Sequence, residues 1–232
     1  MAPASRTAPT TVLLVRHGLT PTTGRVLPGR SLGLHLSDEG RRQAEAAARR
    51  IAKLERVAAV YASPLERARE TALAIAKARG LAVRIDRGLL ELDIGAWTGS
   101  SLTRVSRKPE WAQVQRYPSG FRFPDGESFT EMQTRITSAL RRLVDRYPGG
   151  TVVAVSHADP IKAAIAHYTG VHLDLFQRIV VSPASVTAFG FGPHGVAMLK
   201  CNDTGSLDDL VPPKREEDAE GATEPEGKER DA

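Results

Sequence analysis

Short runs of β-branched and other apolar residues alternate along this chain with longer segments of helical pattern. The apolar runs predict strands at residues 11–15, 57–62, 81–85, 151–156 and 186–191. Their almost continuous apolar character is typical of strands that are buried on both faces of a sheet. The alternation therefore predicts an α/β fold with three layers, in which helices flank a central, mostly parallel sheet.

The segments between these strands carry helix signals. Ser37 or Asp38 is a suitable N-cap for a helix that runs to about residue 54 with an apolar stripe along one side. A second helix is predicted to have Pro64 near its first position and to end at Gly80, because proline suits the first turn and glycine suits the position after the last. Two further helices are predicted at about 128–146 and 160–168.

Residues 95–127 interrupt this rhythm with a segment rich in glycine, proline, serine, arginine and aromatic residues. A long insertion of this kind is typical either of disorder or of a lid over a binding site. The aromatic residues favour the lid; they are Trp97, Trp111, Tyr117, Phe121 and Phe123. We therefore expect one domain over residues 1–205, with this lid, followed by a disordered acidic tail over 206–232.

The net charge of +5 is unevenly distributed. Residues 206–232 hold ten acidic and four basic side chains, a local net charge of −6, so residues 1–205 carry +11. Nucleic acid is not the expected partner, because the arginines are scattered along helical patterns and no aromatic-rich basic motif is present. A small phosphorylated metabolite explains the positive excess more simply.

The sequence also bears on the cellular compartment. No apolar run approaches the roughly 18 residues of a membrane-spanning helix, and the first ten residues lack the apolar centre of a secretory signal. Cys201 is the single cysteine, which excludes an internal disulfide and agrees with a reducing compartment. We expect a cytoplasmic protein without membrane association, and the sequence leaves a homodimer open.

Five charged or titratable residues are predicted to meet at the carboxyl edge of the sheet, where open α/β sheets bind ligands. Arg16 and His17 follow the first strand, and His157 follows the strand at 151–156. Arg67 lies one turn into the helix after the second strand, and Glu91 precedes a glycine turn. Either histidine alone is explained as a loop residue, and Arg67 alone as a solvated charge. Arg16 is harder to explain in this way, because an arginine at the end of an apolar strand is costly without a partner such as a bound anion. Together the five residues indicate a site.

Two arginines and two histidines around one point suit a tetrahedral dianion. Guanidinium groups pair with phosphoryl oxygens, and an imidazole can attack phosphorus. A carboxylic acid nearby can then protonate the departing oxygen. The chain has neither a glycine-rich phosphate loop nor an HExxH or Asp-x-Asp cluster, so we expect no metal ion and no other cofactor.

Four segments in one order, "LLVRHGLT", "ASPLERARET", "LLELDIGAWTG" and "AVSHADPIKA", resemble the histidine phosphatase superfamily, also called phosphoglycerate-mutase-like. The later sequence is similar to an uncharacterised actinobacterial branch of phosphomutase-like proteins and phosphatases. The resemblance implies that His17 becomes phosphohistidine, while Arg16, Arg67 and His157 hold the phosphoryl group. It also implies that Glu91 protonates the leaving oxygen and then activates water.

Three positions depart from the family pattern. Thr23 stands where many members have a phosphate-binding asparagine, and Leu19 stands where an acidic residue often follows the RHG motif. Ala158 replaces a frequent glycine, which we expect to be tolerated because its N–H suffices to bind phosphate. Gly18 is expected to let the backbone approach the phosphate.

The acceptor of the phosphoryl group decides between hydrolysis and transfer. A mutase must exclude water and needs further cations around its substrate. Candidates are Arg25, Arg30, Arg104, Arg107, Lys108, Arg116 and Arg122. "ELDIG" replaces the "ERHYG" that similar cofactor-dependent mutases carry at the acid, which favours a phosphatase. The alternatives are a phosphomutase and an inactive protein that only binds a phosphorylated ligand.

Overall fold

Backbone hydrogen bonds join the five predicted strands and a sixth into one sheet. The strands are β1 (Thr10–Arg16), β2 (Ala59–Ala62), β3 (Val83–Ile85), β4 (Thr151–Ser156), β5 (Val186–Gly192) and β6 (Gly195–Asp203). In the order β3-β2-β4-β1-β5-β6, the first four are parallel, and β5 is antiparallel to both of its neighbours. The computed structural model describes residues 8–205, so the predicted tail at 206–232 lies outside the described residues.

Alternating side chains of β1 contact two separate groups of helices. Over the described residues the α-helices are α1 (Asp38–Ala52), α2 (Glu66–Arg79), α3 (Leu102–Val105), α4 (Trp111–Arg116), α5 (Phe129–Arg146) and α6 (Ala158–Thr169). Val12 and Leu14 pack in the core beneath α5 and α6, whereas Leu13 and Val15 pack beneath α1 and α2. The period of two in the strand thus places apolar residues on both faces, and the predicted three-layer fold is confirmed. None of the helices between residues 8 and 205 has the length and apolar character needed to cross a bilayer.

Local signals explain the helix ends nearest to the site. Ser37 is the N-cap of α1, and its hydroxyl oxygen accepts a hydrogen bond from the amide of Gly40 at 3.0 Å. Gly80 ends α2 in the left-handed conformation, with φ 64°. The prediction that Pro64 lies near the first position of α2 is wrong, because Leu65 is the N-cap and Pro64 precedes it. α6 begins at Ala158, two residues before its predicted start.

The strand β6 was not predicted from the sequence. It follows β5 after the two residues between Gly192 and Gly195, and so short a connection requires an antiparallel pair. Its side chains are mostly exposed, because β6 lies at the edge of the sheet. Its sequence therefore lacks the continuous apolar run that marks the buried strands.

Residues 95–127 fold into short helical segments around an aromatic cluster. 3-10 turns at Gly95–Trp97 and Pro118–Gly120 accompany α3 and α4. The ring of Trp97 lies 5.9 Å from that of Phe121 and 5.3 Å from that of Phe123, and all three side chains are buried. This segment is therefore ordered, as its aromatic content indicates, and its buried rings belong to the same core as Val12 and Leu14 of β1.

Candidate active site

The carboxyl ends of β1 and β4 place two histidines side by side. The strands are parallel neighbours in which Arg16 is opposite Ser156, so the next residue of each strand, His17 and His157, meets the other at the sheet edge. Their ring centroids are 5.1 Å apart, and the ring planes are inclined at 62°. Both side chains are buried. The structure thus brings together the two imidazoles that the sequence places at strand ends.

A hydrogen bond to the backbone fixes the tautomer of His17. Its Nδ1 lies 2.7 Å from the carbonyl oxygen of Gly18, which can only accept, so Nδ1 carries the proton. Burial, followed by the positive charges of Arg67 and Arg16, lowers the pKa of His17 from 6.5 to about 3. The ring is therefore neutral near pH 7, with a free lone pair on Nε2, as a nucleophile requires.

Gly18 is needed for a packing reason that the sequence did not show, and its expected role in letting the backbone approach a phosphate stays a prediction. A Cβ atom at this position would lie 2.3 Å from the carbonyl oxygen of Gly40, in the first turn of α1. A Cβ at Gly40 would in turn lie 2.0 Å from the carbonyl oxygen of Leu19. The two glycines let the loop after His17 cross the start of α1 at backbone contact distance. They fix the loop that carries the histidine.

Two arginines lie beside the histidines, Arg67 buried and Arg16 half-buried, and neither forms an ion pair with a carboxylate among residues 8–205. Arg67 is fully buried, and its Nη2 donates to the carbonyl oxygen of Gly29 at 2.8 Å. Arg16 donates from Nη1 to the carbonyl oxygen of Val181 at 2.7 Å. The Nε–H groups of both arginines are buried and have no hydrogen-bond partner among residues 8–205. Because a buried charge is costly unless it is paired, this arrangement is suited to an anionic ligand.

His157 is held from one side only. Its Nε2 is joined by a 2.8 Å hydrogen bond to Oγ of Ser63, whereas its buried Nδ1 has no partner in the described chain. Burial, then the neighbouring charges of His17 and Arg67, lowers its pKa well below 6.5. His157 is also the N-cap of α6, a position that the residue type of Asp159 would suit equally well. Asp159 instead lies in the first turn.

Glu91 lies in the same cavity as Arg16 and His17. Its Oε1 accepts a hydrogen bond from the amide of Leu92 at 2.8 Å. Burial, followed by the negative charge of Asp159, raises its pKa from 4.5 to about 7, against the opposing effects of that hydrogen bond and of the arginines. A carboxyl group with this pKa is partly protonated near neutral pH and can donate a proton.

The cavity has a volume of about 440 Å³, and its walls come from several parts of the chain. Residues of the segments 20–28 and 177–181 line two sides, and the start of α6 contributes Ala158, Asp159 and Lys162. The predicted lid contributes Leu102. Among the described residues, the lining is thus drawn mainly from segments that the sequence did not single out, and the lid role of residues 95–127 stays a prediction.

Thr23 lines the cavity, but its hydroxyl is engaged locally. Its Oγ1 accepts from the amide of Thr20 at 3.0 Å and lies 2.9 Å from the Thr20 hydroxyl. The loop that carries it therefore uses this hydroxyl to form its own turn. Its contribution to phosphate binding stays a prediction, as does that of the Ala158 N–H.

The cations considered for a mutase do not line this cavity. Arg30 forms ion pairs with Asp93 and Glu127, and Arg122 pairs with Glu131. The cation missed from the sequence is Lys162, whose Nζ lies 3.2 Å from Oε1 of Gln177 and 3.7 Å from Oδ1 of Asp159. Its position four residues after Ala158 on one helix is the signal that would have placed it here. Between residues 8 and 205, no three His, Cys, Asp or Glu side chains are grouped so that they could hold a metal ion.

Comparison with known proteins places most of this chain in one family. The sequence pattern of the histidine phosphatase superfamily (branch 1) matches residues 12–204. A bifunctional protein of Mycobacterium tuberculosis is 34% identical over 88% of this chain and 56% of its own length. Phosphoserine phosphatase 1 of Hydrogenobacter thermophilus is 31% identical over 84% of this chain and 93% of its own. The chain thus spans about half the length of the first of these relatives.

Solved structures show the same fold. A mycobacterial glucosyl-3-phosphoglycerate phosphatase has a TM-score of 0.75 at 25% identity, over 83% of this chain and 98% of its own. YhfR of Bacillus stearothermophilus has a TM-score of 0.78 at 28% identity, over 84% and 97% of the two chains. The central sheet and its flanking helices are therefore a known architecture.

Proposed function

Because the chain belongs to the histidine phosphatase superfamily (branch 1), we propose that it hydrolyses a small phosphomonoester through a phosphohistidine intermediate. One observation carries this proposal: the Nε–H groups of Arg16 and Arg67 and Nδ1 of His157 are buried without partners, close to a neutral His17. A phosphoryl group provides acceptor oxygens for such donors. We propose that the arginines and His157 neutralise its charge, with the Ala158 N–H and Thr23 as further contacts.

In the first step, the lone pair on Nε2 of His17 attacks phosphorus. The bond between phosphorus and the ester oxygen breaks, and Glu91 transfers its proton to that oxygen as the alcohol leaves. The pKa of about 7 supports this role, because a substantial fraction of Glu91 is protonated at neutral pH. The step leaves a phosphohistidine and a Glu91 carboxylate.

In the second step, water attacks the phosphorus of the phosphohistidine. The Glu91 carboxylate accepts a proton from that water, the phosphorus–nitrogen bond breaks, and the Nε2 lone pair is restored. Inorganic phosphate then leaves, and the enzyme returns to its starting protonation state. One carboxyl group thus serves as acid and then as base.

Water is favoured as the acceptor over a second metabolite. A mutase needs several cations around its substrate beyond the phosphate pocket, but the arginines of the segment 95–127 do not line the cavity, and Lys162, which does, already pairs with Asp159. A purely binding protein would gain nothing from a carboxyl group whose pKa burial raises towards neutrality. Both alternatives make predictions that differ from those of a phosphatase.

The test is phosphate release from a panel of phosphomonoesters by wild-type protein and by His17→Ala. The panel includes phosphoserine and phosphoglycerates, because relatives carry those names, together with sugar, inositol and nucleoside phosphates. His167→Ala, at an exposed histidine of α6, is the matched control. Release that His17→Ala abolishes and His167→Ala retains supports the proposal, as does trapping of acid-labile phosphate on the protein.

The other outcomes discriminate between the alternatives. Phosphate transfer to a second metabolite without net release favours the mutase. Binding of phosphate without either activity favours the ligand-binding protein, and release that survives in His17→Ala removes His17 from the mechanism. Glu91→Gln distinguishes catalysis from binding. In an enzyme this variant should lose turnover while it still binds phosphate, whereas in a purely binding protein it has no turnover to lose.

A further inference from the structure

Two arginines from distant parts of the chain hold the backbone of Glu91. Nε of Arg30 donates to the Glu91 carbonyl oxygen at 2.9 Å, and Nη2 of Arg135, on α5, donates to the same oxygen at 3.2 Å. Arg30 and Arg135 are both mostly buried. This carbonyl therefore accepts two charge-assisted hydrogen bonds, which are stronger than neutral ones.

Glu127 joins the two arginines. Its carboxylate accepts from Nε and Nη2 of Arg135 at 2.7 and 2.8 Å, and from Nη2 of Arg30 at 3.0 Å. We refer to Arg30, Glu127 and Arg135 as the Glu91 clamp. The bidentate geometry orients the Arg135 guanidinium plane, and the third bond ties Arg30 to the same carboxylate.

The backbone that the clamp holds has no sheet or helix to support it. Residues 90–94 connect two 3-10 turns, and within the described chain no backbone N–H donates to the carbonyl oxygens of Leu90 and Glu91. Nη1 of Arg135 also donates to the carbonyl oxygens of Gly88 and Leu90, at 3.0 and 2.8 Å. One guanidinium group thus donates to the carbonyl oxygens of Gly88, Leu90 and Glu91, and the last of these also accepts from Arg30.

We infer that Arg30, Glu127 and Arg135 are positioning residues that set the place of the Glu91 carboxyl group against the leaving oxygen. This inference rests on the proposed role of Glu91. Fixing the peptide after Glu91 also fixes the Leu92 N–H that donates to Oε1 of Glu91. The backbone carbonyl and the side-chain carboxyl group of Glu91 are therefore both held in place, as proton transfer at hydrogen-bond distance requires.

A neighbouring ion pair provides the matched control. Arg142 lies seven residues after Arg135 on α5, and its Nη2 contacts Oδ1 of Asp86 at 3.3 Å, just before the same loop. It is exposed and makes no contact with Glu91. Arg142→Met therefore removes an arginine that ties α5 to this region, but not one that holds the acid.

The experiment measures the rate of phosphohistidine formation by rapid quench for Arg135→Met, Arg30→Met, Arg135→Lys and Arg142→Met. Two substrates are compared: the alkyl phosphomonoester that the wild type hydrolyses fastest, and p-nitrophenyl phosphate. An alkoxide cannot leave readily without a proton, whereas p-nitrophenolate can. A role in orienting the acid must therefore appear mainly with the alkyl substrate.

We expect Arg135→Met and Arg30→Met to slow the alkyl reaction about 10- to 100-fold with a nearly unchanged KM, and to slow the aryl reaction much less. Arg135→Lys should not restore the rate with the alkyl substrate, because lysine keeps the positive charge but lacks the bidentate guanidinium group. Arg142→Met should behave as wild type. Thermal unfolding of each variant reports whether it is folded.

Equal slowing of both substrates by Arg135→Met and Arg30→Met would overturn the inference, as would full rescue by Arg135→Lys. The proposed function fails separately, if wild-type protein forms no phosphohistidine or if Glu91→Gln leaves the alkyl reaction unchanged. In that case the clamp has no acid to position and the inference fails with it. An effect of Glu91→Gln without an effect of the clamp variants refutes the clamp alone.

Discussion

The raised pKa of Glu91 predicts that this residue destabilises the folded protein at neutral and alkaline pH. The unfolded chain releases the proton near pH 4.5, whereas the folded protein retains it to about pH 7. The free energy of unfolding therefore decreases as pH rises between these two values, and the full decrease caused by Glu91 is reached above pH 7. At about 1.4 kcal/mol per pH unit, the change in pKa lowers the free energy of unfolding by roughly 3 kcal/mol. This is an upper value, because the carboxyl group faces the cavity.

Glu91→Gln removes this cost while keeping the oxygen that accepts from the Leu92 N–H. We expect its free energy of unfolding to exceed that of the wild type by up to about 3 kcal/mol at pH 8, and the two to converge at pH 4. Urea unfolding of both proteins between pH 4 and 9 measures the difference, and the value at pH 4 is the internal control. A gain that is the same at every pH, or no gain at pH 8, would refute the electrostatic reasoning.

Three further predictions concern the same site. The kcat/KM for an alkyl phosphomonoester should decline above about pH 7, as Glu91 loses the proton that it must donate, and a profile flat from pH 6 to 9 would contradict this. Asp159→Asn removes the negative charge that helps to raise the Glu91 pKa, so the decline should move to lower pH in the same assay. Gly18→Ala should lower the free energy of unfolding by about 1–3 kcal/mol through the contact with Gly40, whereas Gly192→Ala, whose nearest new contact would be 3.7 Å, should not.

Local sequence signals were sufficient to predict the strands that end at the site. The run before Arg16 and the run before His157 are apolar enough to be recognised as buried strands, and the residue after each falls at the carboxyl edge. The family resemblance, which rests on four such segments, is confirmed by the match over residues 12–204. Candidate functional residues at the end of a strand can therefore be located from the sequence, because the strand fixes their position in the fold.

Contacts between distant segments could not be read in this way. Arg135 and Glu91 are 44 residues apart, and Arg30 and Glu127 are 97 apart. Nothing in the local pattern distinguishes Arg135 from Arg142, because both follow the same helical spacing on α5 and only the tertiary fold decides which carbonyl each meets. From the sequence, Arg30 is a candidate cation for a mutase substrate, and its pairing with Asp93 and Glu127 could not be predicted for the same reason.

The distribution of arginine and histidine over the site follows from the cost of burial. Burial lowers the pKa of His17 and His157, so both rings stay neutral without a ligand, and a nucleophile must be neutral. A buried lysine would lose its charge in the same way, but arginine keeps it, because its pKa is too high for burial to remove the proton. Arg16 and Arg67 thus remain cationic without a carboxylate partner in the described chain. The site therefore combines a neutral imidazole with fixed positive charge, which is the combination that the proposed attack on a dianionic phosphoryl group requires.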